Sequence, residues 1–146
     1  MVVFAGESKV QLPITTDYLM ARNFTKRLSP SLVDVQGTNL SSAIDLASLS
    51  FSQNNDASRV MIIITDGEAH DEGALTAAKQ AAERGIRIFT IGIGSPEGAP
   101  VKIDDKFVED EKGDMVVSRL NEELLQQIAS YGKGGYVRAS DRKSVV

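Results

Sequence analysis

Cysteine is absent from the 146-residue sequence, which excludes disulfide bridges and thiolate chemistry while leaving the compartment open. Histidine occurs once, at His70, so a multi-histidine metal site and a Ser-His-Asp triad with parts to spare are excluded as well. No apolar run approaches the ~20 residues that cross a bilayer and no signal peptide is visible; the chain as given reads as a soluble piece. Basic clusters are missing too. Sixteen Lys and Arg stand against twenty Asp and Glu, a formal charge of −4. The concentrated positive charge that phosphate contacts require is lacking, and nucleic acid is not an expected partner. Internal repeats and low-complexity segments are absent. What is present, 42% hydrophobic and 25% charged residues, suits one globular domain with a real core.

The chain is organised around positions 60–64, five apolar residues in a row, mostly β-branched and without polar alternation. That is the pattern of a strand buried on both faces, within a parallel sheet covered by helices. The run stops at Thr65-Asp66-Gly67, so a carboxylate stands just past the strand's carboxyl end, where open α/β sheets place their ligands. Ahead of it, residues 1–5 predict a strand and Gly6-Glu7-Ser8 a turn. Val10, Leu12 and Ile14 then alternate with Lys9, Gln11 and Pro13 as a half-exposed edge strand, and the two runs form a hairpin. Thr15, Thr16 and Asp17 offer helix N-caps, and Leu19, Met20, Phe24 and Leu28 give a helical stripe up to Pro30. After a loop over 34–39, a second helix shows Leu40, Ala43, Ile44 and Ala47 on one face.

Beyond Asp66 the spacing predicts a helix over 74–84, with Ala74, Ala77, Ala78, Ala81 and Ala82 as a small-residue face and Gly85 as its stop. A buried strand over 86–93 follows, and strand, helix, strand at this spacing is a βαβ unit with parallel pairing. Residues 95–118 change character. Short β-rich runs at 101–103 and 115–117 flank a charged stretch at 104–114, which predicts a hairpin excursion turning near Lys112-Gly113. Asn121 caps a last helix whose Leu124, Leu125, Ile128 and Ala129 face inward. Gly132-Lys133-Gly134-Gly135 ends that helix, and a final strand occupies 136–139.

Thr38 and Asp66 are the candidate metal-ligating pair. Each lies in a loop at the end of an α/β element, where two loops can converge over one sheet edge. Hydroxyl and carboxylate oxygens are hard ligands, suited to Mg²⁺ with several waters retained. The plain alternative is structural: Thr38 or Asn39 caps the next helix, and Asp66 caps the next turn. Gly92-Ile93-Gly94 with Gly98 imitates a dinucleotide-binding loop, but Pro96 and Pro100 stand where its helix would begin. The acidic run at 104–114 lacks the alternating ligands and central glycine of an EF-hand and reads as solvated loop. His70, beside Glu68, Asp71 and Glu72, could touch a ligand near Asp66 but reads as an exposed loop residue.

The order of elements, with Val3-Phe4-Ala5-Gly6-Glu7-Ser8, Leu12-Pro13-Ile14-Thr15-Thr16-Asp17-Tyr18, Gly37-Thr38 and Ile63-Ile64-Thr65-Asp66-Gly67-Glu68, resembles a von Willebrand factor A domain. Ile91-Gly92-Ile93-Gly94-Ser95, Leu120-Asn121-Glu122-Glu123 and Gly135-Tyr136-Val137-Arg138-Ala139 are similar to one branch, the bacterial Bat (aerotolerance) proteins. The resemblance implies a Rossmann-like α/β fold: a mostly parallel central sheet, helices on both faces and one antiparallel edge strand. It implies a single domain over 1–141, with the excursion 95–118 inside it and 142–146 as a tail. The family's metal-ion-dependent adhesion site uses an Asp-x-Ser-x-Ser loop, a Thr from a second loop and an Asp from a third. Thr38 and Asp66 match the last two. No Asp-x-Ser-x-Ser precedes Val2, and Asp45-Leu46-Ala47-Ser48 and Asp56-Ala57-Ser58, read as mid-helix and linker, do not replace it. The expectation is a domain whose first strand and helix are missing, encoded before Met1 together with membrane segments.

By this resemblance the chain is a non-enzymatic module for binding other proteins. A Mg²⁺ or Mn²⁺ ion would accept an acidic side chain of the partner, with weak or no metal binding in this chain alone. The resemblance also implies anchoring to the bacterial inner membrane, facing the periplasm, through segments absent here. A rival reading is a Mg²⁺-dependent phosphohydrolase or receiver-like domain with Asp66 as nucleophile. It wants a second carboxylate, for which Glu68 stands near, and a Lys at a neighbouring strand end, which no strand offers. A third is a structural domain with a dead metal site. The missing strand would lie between the strand at 2–5 and that at 60–64. Either these two pair directly, or they face a gap and the chain is marginally stable and associates.

Overall fold

Asp17, Asn39, Asp71 and Asn121 each turn a side-chain oxygen back to a first-turn amide, and an α-helix starts after each one. Such caps satisfy donors that a helix leaves without partners. They open α1 (Tyr18–Thr25), α2 (Leu40–Leu49), α3 (Glu72–Glu83) and α4 (Glu122–Tyr131). The computed structural model describes residues 1–35, 37–52, 57–67, 71–100, 102–103, 106–107, 113–115 and 117–139. The tail 142–146, Glu68, His70, Asp56 and most of the acidic run at 104–114 lie outside the described residues.

β1 (Val2–Phe4) and β2 (Ser8–Val10) form an antiparallel hairpin with Val3 opposite Lys9. β3 (Arg59–Thr65) and β4 (Ile86–Ile93) run parallel on either side of α3, from Arg59 opposite Ile86 to Thr65 opposite Gly92. In the excursion, β5 (Ala99–Pro100) pairs antiparallel with β8 (Val117–Ser118), and β6 (Lys102–Ile103) with β7 (Lys106–Phe107). β9 (Tyr136–Ala139) closes the main sheet, parallel to β4, in the order β3-β4-β9.

The core lies on one face of that sheet. Met61 and Ile63 of β3 and Ile86 and Ile88 of β4 are buried there against Leu40 and Ile44 of α2 and Leu125 and Ile128 of α4. Ala74, Ala77, Ala78 and Ala81 are buried as well, which lets α3 approach closely. Each large side chain buried in this way contributes about 1.5–3 kcal/mol, so this cluster is the main source of stability. Thr90, a buried polar residue of β4, donates its hydroxyl to the Leu125 carbonyl at 2.9 Å.

The other face corrects the sequence reading of β3. Burial alternates along it: Met61 and Ile63 are inside, whereas Val60, Ile62 and Ile64 are 42%, 61% and 56% exposed. An apolar run reports that a strand can be buried on both sides, not that it is. α2, α3 and α4 all join the same core cluster, and no described helix covers the opposite side of β3. α1 departs from expectation too. It stops at Thr25, none of its residues is buried, and Leu19 and Met20 of the predicted stripe face solvent. β2 ends at Val10 rather than continuing to Ile14, although Leu12 is buried beyond it.

β1 and β3 belong to different sheets and do not pair. Between them lies a groove of about 1160 Å³, walled by β1, by β3 and by Leu40 and Ile44 of α2. Of the two arrangements foreseen for these strands, the gap is the one found.

Candidate functional site

Thr38 and Asp66 both line this groove, beside Gly37 and Thr65. Two loops bring them there. The first, which leads into α2, is held against the turn of the β1–β2 hairpin, where the Gly6 amide donates to the Val35 carbonyl at 2.9 Å and the Asn39 amide to the Ala5 carbonyl at 2.7 Å. Lys9 reinforces the contact, its ammonium standing 3.0 Å from Glu7 and 2.8 Å from Asp34. Its hydrogen bonds hold both carboxyls below their ordinary range, and the two carboxylates raise the Lys9 ammonium in turn. All three groups are solvated, so they set geometry more than they add stability.

The second loop leaves β3 through a side-chain turn. The buried Thr65 hydroxyl accepts the Gly67 amide at 3.1 Å, and Gly67 takes φ 65°. A Cβ on Gly67 would meet Leu125 at 3.3 Å and the Asn121 amide at 3.4 Å, so bare backbone is needed where β3 meets the start of α4. Asp66 is thereby turned outward and is exposed.

Asp71 joins the two loops. One carboxylate oxygen accepts the Ser41 amide of α2 at 2.7 Å, and the other accepts the Gly73 amide of α3 at 3.0 Å. Ser41 is three residues past Thr38 and Asp71 five past Asp66, so this bridge fixes the loops side by side. Sequence reasoning began α3 at Ala74 and missed it; an Asp before the first helical turn was the available signal.

The structural contacts near the two candidates are made by their neighbours. Asn39, not Thr38, caps α2, accepting the Ser42 amide at 3.0 Å. The turn after β3 is closed by the Thr65 hydroxyl rather than by Asp66, and Asp71 caps α3. Neither the Thr38 hydroxyl nor the Asp66 carboxylate makes a hydrogen bond or ion pair among the described residues. Two hard oxygen donors thus line one groove without structural partners. They suit Mg²⁺ or Mn²⁺ in kind, but fill only two positions of an octahedron. Among the described residues no group of three or more His, Cys, Asp or Glu side chains is placed to hold a metal ion. The described helices include none long and apolar enough to cross a membrane.

Comparison with curated proteins gives no match. Solved structures similar over nearly the whole chain include two from Bacteroides. The conserved hypothetical protein BatB from Bacteroides thetaiotaomicron is 48% identical, with a TM-score of 0.91 over 96% of this chain and 69% of its own. An aerotolerance-related membrane protein from Bacteroides fragilis NCTC 9343, carrying multiple mutations to serines, is 44% identical, with a TM-score of 0.90 over 97% of this chain and 71% of its own. Residues 1–145 match the von Willebrand factor type A domain. With that match and these Bat-type neighbours, the chain belongs to the von Willebrand factor type A domain family.

Proposed function

We propose that this chain is the protein-binding domain of a membrane-anchored Bat-type protein, acting without catalysis. In this reading Thr38 and Asp66 contribute a hydroxyl and a carboxylate to a Mg²⁺ or Mn²⁺ ion whose open position takes an acidic side chain of a partner protein. One observation carries it: both donors line one groove, and the helix caps that would otherwise occupy them are supplied by Asn39 and Asp71. In this reading the domain faces the periplasm from an inner-membrane anchor; the membrane association is supported by the relative described as a membrane protein. The enzymatic alternative needs a second carboxylate at Asp66, and the only neighbour suggested for that role, Glu68, lies outside the described residues.

Mn²⁺ titration followed by electron paramagnetic resonance tests the site. With two protein donors against a demand of six positions, the chain should bind Mn²⁺ weakly, and Thr38→Ala and Asp66→Ala should each abolish binding while leaving the melting temperature unchanged. Binding that survives both substitutions would remove these residues from the site. Micromolar Mg²⁺ affinity would show that further ligands are already in place.

A further inference from the structure

We infer that the outward side of α1, where cations and apolar side chains interleave, rests on an anionic lipid surface. At about 100° per residue, the half-buried Ala21 and Phe24 mark the side of α1 turned toward the body of the domain. Leu19, Arg22, Asn23 and Lys26 lie on the opposite side, with Tyr18 and Arg27 at its margins, and all six are exposed. Along the chain these three cations are too few to stand out; the turn of the helix gathers them. No Asp or Glu occurs from residue 18 to residue 33, and Arg22, Lys26 and Arg27 form no ion pair among the described residues. In a chain of net charge −4, such a patch orients the molecule, drawing α1 to a negative surface while the rest is held off.

The geometry suits lipid better than an acidic protein. Tyr18 and Leu19 stand 87% and 71% exposed on a convex helix. A protein partner would have to bring a groove for them, whereas a bilayer yields around them. Leu and Tyr enter the interface, and the long Arg and Lys side chains reach the phosphates. Three cations on an eight-residue helix hold weakly, each contributing about fivefold in partitioning. The membrane anchor of the proposed function, on which this inference rests, makes that sufficient by keeping the domain at high effective concentration beside the bilayer. The candidate metal site plays no part, since Thr38 and Asp66 line a groove to which α1 contributes no residue.

Co-sedimentation with vesicles of phosphatidylglycerol and phosphatidylcholine in equal parts, against phosphatidylcholine alone, tests this. The chain should bind the anionic vesicles only, and should lose them at about 1 M salt, where charges are screened within about 3 Å. Arg22→Ala and Lys26→Ala should each weaken binding about fivefold, whereas Lys79→Ala, which removes an exposed cation of α3, should leave it unchanged. The chain has no Trp, so Leu19→Trp puts a single reporter on the patch. Its emission should shift to the blue on anionic vesicles, while that of Leu49→Trp, at an equally exposed position on α2, should not. The inference fails if neutral vesicles bind as well, if Lys79→Ala weakens binding as much as Lys26→Ala, or if the Leu19→Trp emission does not move. Poly-glutamate that shifts this emission as far as the vesicles do would make an acidic protein the partner instead. Absence of vesicle binding beside intact Mn²⁺ binding at Thr38 and Asp66 would overturn this inference and leave the proposed function standing.

Discussion

The Asp71 carboxylate accepts the Ser41 amide at 2.7 Å and so fastens the first turn of α2 to the start of α3. The same side chain caps α3 through Gly73. Asp71→Ala should therefore cost more than a simple cap, which is worth about 1 kcal/mol, because a part-buried amide in another helix also loses its acceptor. Urea denaturation should show a loss of about 1–3 kcal/mol with an unchanged m-value. Asp71→Asn keeps an acceptor and should recover most of it. A loss below about 0.5 kcal/mol, the range of ordinary surface substitutions, would mean that other contacts hold the loops together.

Asp66 is the opposite case. Exposed and without a hydrogen bond among the described residues, its carboxylate contributes nothing visible to the fold. Asp66→Ala should stay within about 0.5 kcal/mol of the parent, as surface changes do. Matched denaturation curves check this. A large loss would make Asp66 a structural residue and count against its role as a ligand.

Gly134 sits where the chain, leaving α4, crosses β4. The Ile88 amide donates to the Gly132 carbonyl at 3.0 Å and the Thr90 amide to the Gly135 carbonyl at 3.0 Å. A Cβ on Gly134 would lie 1.9 Å from the Ile88 carbonyl oxygen. Where the backbone tolerates it, Gly→Ala stabilises by about 0.4–1 kcal/mol. Here the clash is with backbone in the core strand, so the sign reverses. Gly134→Ala should cost more than about 4 kcal/mol or prevent folding; a soluble variant of parental stability by circular dichroism would refute the crossing.

How much of this was legible in the sequence depended on whether the signal was local. The alanine face of α3, the buried stripe of α2 and the caps Asp17 and Asn121 are written in neighbouring residues, and the structure places them as read. The run holding Val60, Ile62 and Ile64 has the pattern of a strand buried on both faces, because β-branched apolar residues carry no record of which neighbours are present. The apolar residues Leu19 and Met20 of α1 misled for the same reason. Thr38 and Asp66 were legible as oxygen donors near element ends. Whether they capped helices was decided by Asn39 and Asp71, whose hydrogen bonds depend on how the two loops meet.

Tyr136 gives the fold a pH dependence on the alkaline side. Its hydroxyl donates to Glu122 at 2.6 Å; burial first, then the Glu122 carboxylate, push the phenol from 10.0 up to about 12. Folding therefore favours the neutral phenol. Its contribution is complete below about pH 10, where the unfolded chain's tyrosine titrates, and is lost as pH rises toward about 12. Tyr136→Phe should flatten the stability profile across that window and remove a late step from the tyrosinate absorbance titration. If the parent and variant lose stability in parallel between these pH values, the Tyr136–Glu122 pair is not the cause.

The bare side of β3 governs how the chain behaves in solution. Ile62 and Ile64 are 61% and 56% exposed on a strand that ends its sheet, an apolar edge of the kind that recruits other chains. Without a strand in the groove, association should rise with concentration and reach no fixed stoichiometry, since edge pairing of this sort has no closure. Ile62→Lys should suppress it at little cost in stability, because a charge on an exposed edge stays solvated. Ile63→Lys, one residue along but buried, should fail to fold, since an unpaired charge cannot be accommodated in the core. Light scattering against concentration, with melting curves for each variant, separates the two faces of the strand. A parent chain that stays monomeric on concentration and unfolds cooperatively above ~60 °C, near the top of the range for mesophile domains, would show that the edge is not a liability and that β3 needs no partner.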